Sequence, residues 1–159
     1  MPAEIRAAQP AEIPAILGFI RELAEFEKLA HQVVATEEAL RASLFPANGR
    51  PAAECAVAFA GGQPAGYALW FTTFSTFLAK PGLWLEDLYV TPALRHQGIG
   101  KALILHVAKL ANERGCGRME WSVLDWNAPA IKFYDSLGAK SLPDWRICRL
   151  TGANLARYS

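Results

Sequence analysis

Apolar residues recur at helical spacing after Pro10, at Ile13, Ile16, Leu17, Ile20, Leu23 and Ala24, and predict an amphipathic helix running to about Lys28. Residues 4–7 ahead of it read as a short strand. Thr36 before Glu37 and Glu38 predicts a second helix, capped by a hydroxyl and with acidic side chains favourable in its first turn. Two apolar runs, 55–60 and 65–72, meet at Gly61-Gly62 and predict a hairpin. Residues 83–90 form the next strand, whose hydrogen-bond ladder Thr91-Pro92 stops. Ile99, Leu103, Val107 and Leu110 share one face of a following helix that ends at Gly115. A strand over 118–124, a helix capped by Asn127 and closed by Gly138, and a last strand over 145–150 complete the chain. The order is strand, two helices, three strands, helix, strand, helix, strand. It predicts an α/β (α+β) fold, with a mixed sheet and helices on both faces.

At 159 residues and 52% hydrophobic, the chain can bury one full core, and no linker, repeat or charge block divides it, so residues 1–159 read as one domain. A net charge of +1 with dispersed Lys and Arg disfavours nucleic acid as a partner. No charged residue stands between Glu54 and Lys80, but Gly61-Gly62-Gln63-Pro64 and the polar Thr72, Thr73, Ser75 and Thr76 fit paired strands better than a membrane span. Cys55, Cys116 and Cys148 are scattered, as are His31, His96 and His106. Neither set has metal-ligand spacing, and three free thiols suit a reducing cytoplasm. The expectation is therefore a cytoplasmic protein with no metal and no membrane partner.

The segment 85–103, LEDLYVTPALRHQGIGKAL, carries the chemistry. A strand runs into a basic turn bearing Gly98 and Gly100, and then into a helix. Exposed N–H groups, a helix dipole and absent side chains make such a turn an anion cradle. Arg95 and Ala102 stand where a P-loop needs Gly and Ser or Thr, and Leu103 stands where a dinucleotide fingerprint needs its third glycine. Arg95-x-x-Gly98-x-Gly100 after a strand instead resembles the pyrophosphate loop of the GNAT superfamily of N-acetyltransferases. Further segments narrow the likeness to the diamine (spermidine/spermine) N-acetyltransferase family: Leu23-Ala24-x-Phe26-Glu27, Glu86-Asp87, Asp125-Trp126-Asn127-x-Pro129 and Phe133-Tyr134.

That resemblance implies a single-domain GNAT fold with two splayed central strands and a mostly antiparallel sheet. It implies acetyl-CoA as cofactor, direct attack by an amine in a ternary complex, and a homodimer. Acetyl-CoA contacts would come from Leu88, Tyr89 and Val90, from Arg95, His96, Gln97, Gly98, Ile99, Gly100 and Lys101, and from Asn127, Ala128, Pro129, Ala130 and Phe133. The Leu88 N–H would stabilise the oxyanion, Tyr134 would donate a proton to the departing thiolate, and Glu86 would take the amine proton, directly or through water. Phe26, Glu27, Glu86, Asp87, Glu120, Trp121, Ser122 and Asp144 fall on substrate-side positions.

The chain departs from the polyamine enzymes where Phe26 replaces a tyrosine, where the loop 74–78 carries no acid, and before Trp145, where only Asp144 remains. Fewer carboxylates suit a thialysine-like amino acid as well as a polyamine. Acylation of a peptide or protein lysine or N-terminus, disfavoured by a cleft roofed by Trp70, Phe71 and Phe74, is one alternative. A non-catalytic acyl-CoA sensor is the other.

Overall fold

The computed structural model describes residues 2–159. Contacts divide the chain into two compact units, the first ending at Ser122 and the second running from Val123 to Ser159.

The first unit is a five-stranded sheet in the order β1-β2-β3-β4-β5, formed by Glu4–Ala7, Glu54–Ala60, Gln63–Ser75, Lys80–Val90 and Arg118–Glu120. The first four strands pair antiparallel, and β5 pairs parallel to β4. The helices are α1 (Ile13–Phe26), α2 (Glu37–Leu44) and α3 (Ile99–Glu113). Pro10 opens a 3-10 turn ahead of α1, and the Thr36 hydroxyl accepts from the Ala39 N–H at the start of α2, as the sequence predicts. The hairpin falls at Gly61-Gly62, with β3 running on to Ser75.

Strand alternation divides the core between two faces. Ile13, Ile16 and Phe19 of α1 pack with Val57, Tyr67, Leu69 and Tyr89 in one buried cluster. Leu103, Ile104 and Val107 of α3 are buried against the other face, where Trp70 meets His106 edge-on. Each such side chain stabilises the fold by about 1.5–3 kcal/mol. Arg114, just past α3, donates two hydrogen bonds to Glu54 at the start of β2, at 2.6 and 2.7 Å. Being partly exposed, that pair contributes registration more than stability, on the order of 1 kcal/mol or less.

Two features of β4 position the site. A bulge interrupts its pairing with β3, since Trp70 pairs with Leu85 while its neighbour Leu69 pairs with Asp87. Glu86 is the extra residue. On the opposite side, β5 pairs with β4 only over Gly82–Trp84, so β4 runs six residues past its last bond to β5. All three residues of β5 are paired, so beyond Trp84 the outer edge of β4 faces, among the described residues, no strand rather than a diverging one.

In the second unit the Asn127 side chain accepts from the Ala130 N–H at 3.3 Å and caps α4 (Ala128–Ser136). Gly138, at φ +88°, follows the helix end. A one-turn helix, α5 (Ala153–Ala156), lies near the C-terminus.

Two strand predictions need correction. Strand β5 stops at Glu120 rather than continuing to 124, and residues 145–150 form no strand. In that last segment Trp145 and Ile147 are 80% and 70% exposed. An apolar pattern marks where a strand could pair, but the ladder needs a partner edge, and none is engaged by this segment. No helix among the described residues is long and apolar enough to cross a membrane.

Candidate active site

The glycine turn adopts the predicted form. Thr91 leads into a 3-10 turn over Pro92–Leu94, and α3 begins after Gly98. Gly98 is the N-cap, with φ +84°, a backbone state that side-chain-bearing residues rarely adopt. No side chain caps α3, so its first N–H groups remain a positive terminus. Gly100 has no such backbone constraint. A Cβ there would meet only Val90 Cγ2, at an ordinary 3.7 Å. The fold therefore tolerates alanine at 100, and the cradle is what benefits from the missing side chain. Gly66 has the opposite reason: a Cβ there would overlap the Tyr89 carbonyl oxygen, so β3 can approach the end of β4 only as glycine.

Arg95 is partly used internally. Its Nε donates to the Val90 carbonyl at 2.9 Å, and its guanidinium lies 5.3 Å from the Tyr89 ring centre and 5.6 Å from that of Phe26. This fastens the turn to the strand and brings a predicted cofactor residue against a predicted substrate residue. Phe26, 45% exposed, lines a pocket of about 300 Å³ with Glu22, Glu25, Tyr89, Pro92 and Arg95. A larger pocket, about 470 Å³, lies beside α2 among Glu38, Arg41 and Phe45. None of the residues expected in the site lines it.

The bulge separates the two predicted carboxylates of β4. Glu86 is exposed, whereas Asp87 is half-buried and accepts a hydrogen bond from the Tyr67 hydroxyl at 2.6 Å. Burial pushes the Asp87 carboxyl above its usual range, the Tyr67 bond opposes that, and Glu86 adds to it. Glu27, at the end of α1, is also raised, first by burial and then by the charge of Asp87. Both carboxyls are thus raised by burial and by a neighbouring acid, a strain that a nearby positive charge would relieve. Cys55 lies near the pair, and burial first, then Asp87, pushes its thiol up to about 12, which leaves it an inert core group.

The structure thus brings Phe26, Glu27, Asp87, Tyr89 and Arg95 together around the end of β4 that β5 does not reach. Leu88 and Val90 lie on that same stretch, and His96, Gln97, Ile99 and Lys101 on the turn and first turn of α3. Glu120 pairs with Arg118 at 3.1 Å at the last residue of β5, followed by Trp121 and Ser122 outside any strand. The expected roof is not formed: Trp70 is buried toward α3, Phe71 stacks on Trp84 across the other face, and Phe74 is exposed. Adjacent strand residues point to opposite faces, so the three cannot line one wall.

In the second unit, Ala128, Pro129 and Ala130 form the capped first turn of α4. Phe133 and Tyr134 follow, with ring centres 5.4 Å apart, and Asp144 is exposed beyond the helix. The residue that sequence reasoning missed is Tyr67. Nothing in the apolar run 65–72 distinguishes its hydroxyl from that of any core tyrosine.

Comparison with known proteins agrees with this geometry. The model of the acetyltransferase (GNAT) family matches residues 20–139, across both units. A thialysine N-epsilon-acetyltransferase from Sus scrofa is 42% identical over 93% of this chain and 92% of its own. An L-ornithine N5-acetyltransferase from Arabidopsis thaliana is 34% identical over 94% of this chain and 85% of its own. Among solved structures, an integron cassette protein of V. cholerae superposes with a TM-score of 0.80 at 24% identity, covering 99% of this chain and 98% of its own. An aminoglycoside acetyltransferase from a soil metagenome reaches 0.76 at 20%, over 94% and 97%. The fold, the glycine turn and the family match converge: the chain belongs to the GNAT family of acetyltransferases.

Proposed function

We propose that this acetyltransferase moves the acetyl group of acetyl-CoA to the side-chain amine of a small diamino acid of the thialysine or ornithine kind, within a single catalytic domain. The observation that carries the reading is the pair Glu27 and Asp87, two carboxyls raised first by burial and then by a neighbouring acid (Asp87 acting on Glu27, Glu86 on Asp87), beside the end of β4 that β5 does not reach. The relatives named for thialysine and ornithine support the choice of acceptor.

Acetyl-CoA supplies an activated thioester carbonyl. The chain's own residues do the rest. The first N–H groups of α3 and the turn from Arg95 to Lys101 would hold phosphate, and the family resemblance gives Asn127 to Ala130 and Phe133 as further cofactor contacts. The edge of Leu88 to Val90 that faces away from β3, where the Val90 carbonyl already accepts from Arg95, would take the pantetheine arm as an extra strand.

An alkyl amine has a pKa near 10.4, so about one molecule in 2,500 is nucleophilic at pH 7, a deficit of roughly 4–5 kcal/mol. Asp87, raised above an ordinary carboxylate, draws in the ammonium with Glu27 and accepts its proton more readily than a solvated acid would. Glu86, exposed on the bulge, passes that proton outward through water. Tyr134 would donate to the departing sulfur, the role the family resemblance gives it. Because both raised carboxyls must be ionised to hold an ammonium, activity falls as pH drops through their elevated pKa values.

Two experiments test the reading. The first follows thiol release from acetyl-CoA with thialysine, ornithine, lysine, putrescine, spermidine and a lysyl peptide. The diamino acids should give the highest kcat/KM, and preference for the peptide or spermidine would overturn the acceptor assignment. The second is Gly100→Ala, which should weaken acetyl-CoA binding at least about tenfold by crowding the phosphate, while the fold gains about 0.5–1 kcal/mol from losing a helical glycine. Calorimetric titration reads the first effect and thermal unfolding the second. Normal affinity would place the cofactor elsewhere.

A further inference from the structure

Tyr67 is wholly buried, yet its hydroxyl is spent on one group, the Asp87 carboxylate. Its ring is fixed independently, stacked on Phe19 of α1 with centres 5.6 Å apart and planes 14° from parallel. The ionisable groups around this pair are Glu27 from the end of α1, Cys55 from β2 and Glu86 from β4, with Glu12 acting on Cys55. All are acids and none supplies a positive charge; burial first and then Glu86 disfavour an anion at Asp87. The Tyr67 hydrogen bond acts in the opposite direction.

We propose that Tyr67 is a positioning residue for the acceptor site: donating to Asp87 Oδ2 from a ring clamped by Phe19, it holds that carboxylate in one orientation, as an anion, and leaves the second oxygen for the amine. The inference rests on Asp87 being the group that meets the amine. A donor that is itself a much weaker acid suits this task. Burial first, then Asp87, pushes the Tyr67 phenol well above its ordinary value, so it stays a donor and never competes for the substrate proton.

The test is Tyr67→Phe, which keeps the ring and its stack and removes one oxygen. The chain has four aspartates, Asp87, Asp125, Asp135 and Asp144, so carboxyl-selective 13C NMR of aspartate-labelled protein resolves the titration, and Asp87→Asn assigns it. In Tyr67→Phe the Asp87 midpoint should move up by roughly one to two pH units, the worth of a hydrogen bond to a charged group. The acidic limb of kcat/KM for the amine should move with it, and the unfolding temperature should change little. Phe19→Leu is the packing control. It should lower the unfolding temperature and leave the titration in place.

An Asp87 midpoint that is the same in Tyr67→Phe and wild type would overturn the proposal, whatever happens to activity. A midpoint that moves while the activity limb stays put would separate Asp87 from the amine. That outcome would overturn the proposal through the functional reading beneath it, leaving the hydroxyl's control of the carboxyl intact.

Discussion

Tyr134→Phe lowers kcat by roughly 10–10⁴-fold, the range over which a positioned acid contributes, while the Kd for acetyl-CoA stays within about twofold. An ordinary phenol is a weaker acid than an ordinary thiol, near 10 against near 8.5, so complete proton transfer from one to the other is slightly uphill. The hydroxyl therefore acts by a hydrogen bond that strengthens as charge builds on sulfur and completes on product release. Phenylalanine preserves the ring packing with Phe133, so α4 and its cap at Asn127 are undisturbed. Steady-state kinetics with calorimetric binding separates the two quantities. An unchanged kcat would remove Tyr134 from the chemistry and leave α4 as a cofactor-binding helix only.

Asp87→Asn gives the second large effect, a fall of roughly 10²–10⁴ in kcat/KM for the amine. Stability should move the other way or not at all, and the sign follows from linkage. A carboxyl whose folded pKa lies above its unfolded value is bound to more protons in the folded state. Ionising it between those two values therefore costs folding free energy as pH rises. Asparagine removes that cost above the folded pKa and can still accept the Tyr67 hydrogen bond. At pH 7 the variant should thus unfold at the same temperature or higher, and its pH–rate profile should lose the acidic limb that Asp87 sets. A variant that is inactive and also markedly less stable would indicate that Asp87 serves the core rather than the substrate.

Elements with their own periodicity and punctuation were readable from the chain. Pro10, Thr36, Gly61-Gly62, Gly98 and Asn127 each act within a few residues of where they stand, and each appears in the structure at its expected boundary. What failed depended on distant partners. Residues 145–150 have the composition of a strand, but pairing is a property of two segments, and local pattern reports on only one. The relative burial of the acceptor-side carboxylates was illegible in the same manner. Glu86 and Asp87 are adjacent and chemically alike, and the sequence offers no ground for ranking their burial. The ranking comes from a bulge, which is a mismatch in residue count between β3 and β4 and leaves no mark on either strand alone. Tyr67 was invisible for the same reason, being twenty residues from the carboxylate it serves.

The bulge at Glu86 also separates two kinds of constraint on this stretch. Side chains of β4 alternate in direction, and the extra residue resets that alternation, so Leu85 pairs with Trp70 on one face while Asp87 pairs with Leu69 on the other. Replacing the side chain at 86 alters one group and leaves the phase intact. Removing the residue shortens the count, turning either Asp87 into the apolar layer under α3 or Leu85 out of it. Between Trp84 and Tyr89 the chain thus carries information in its length as well as its letters: substitution there changes one side chain, whereas deletion changes which face its neighbours occupy.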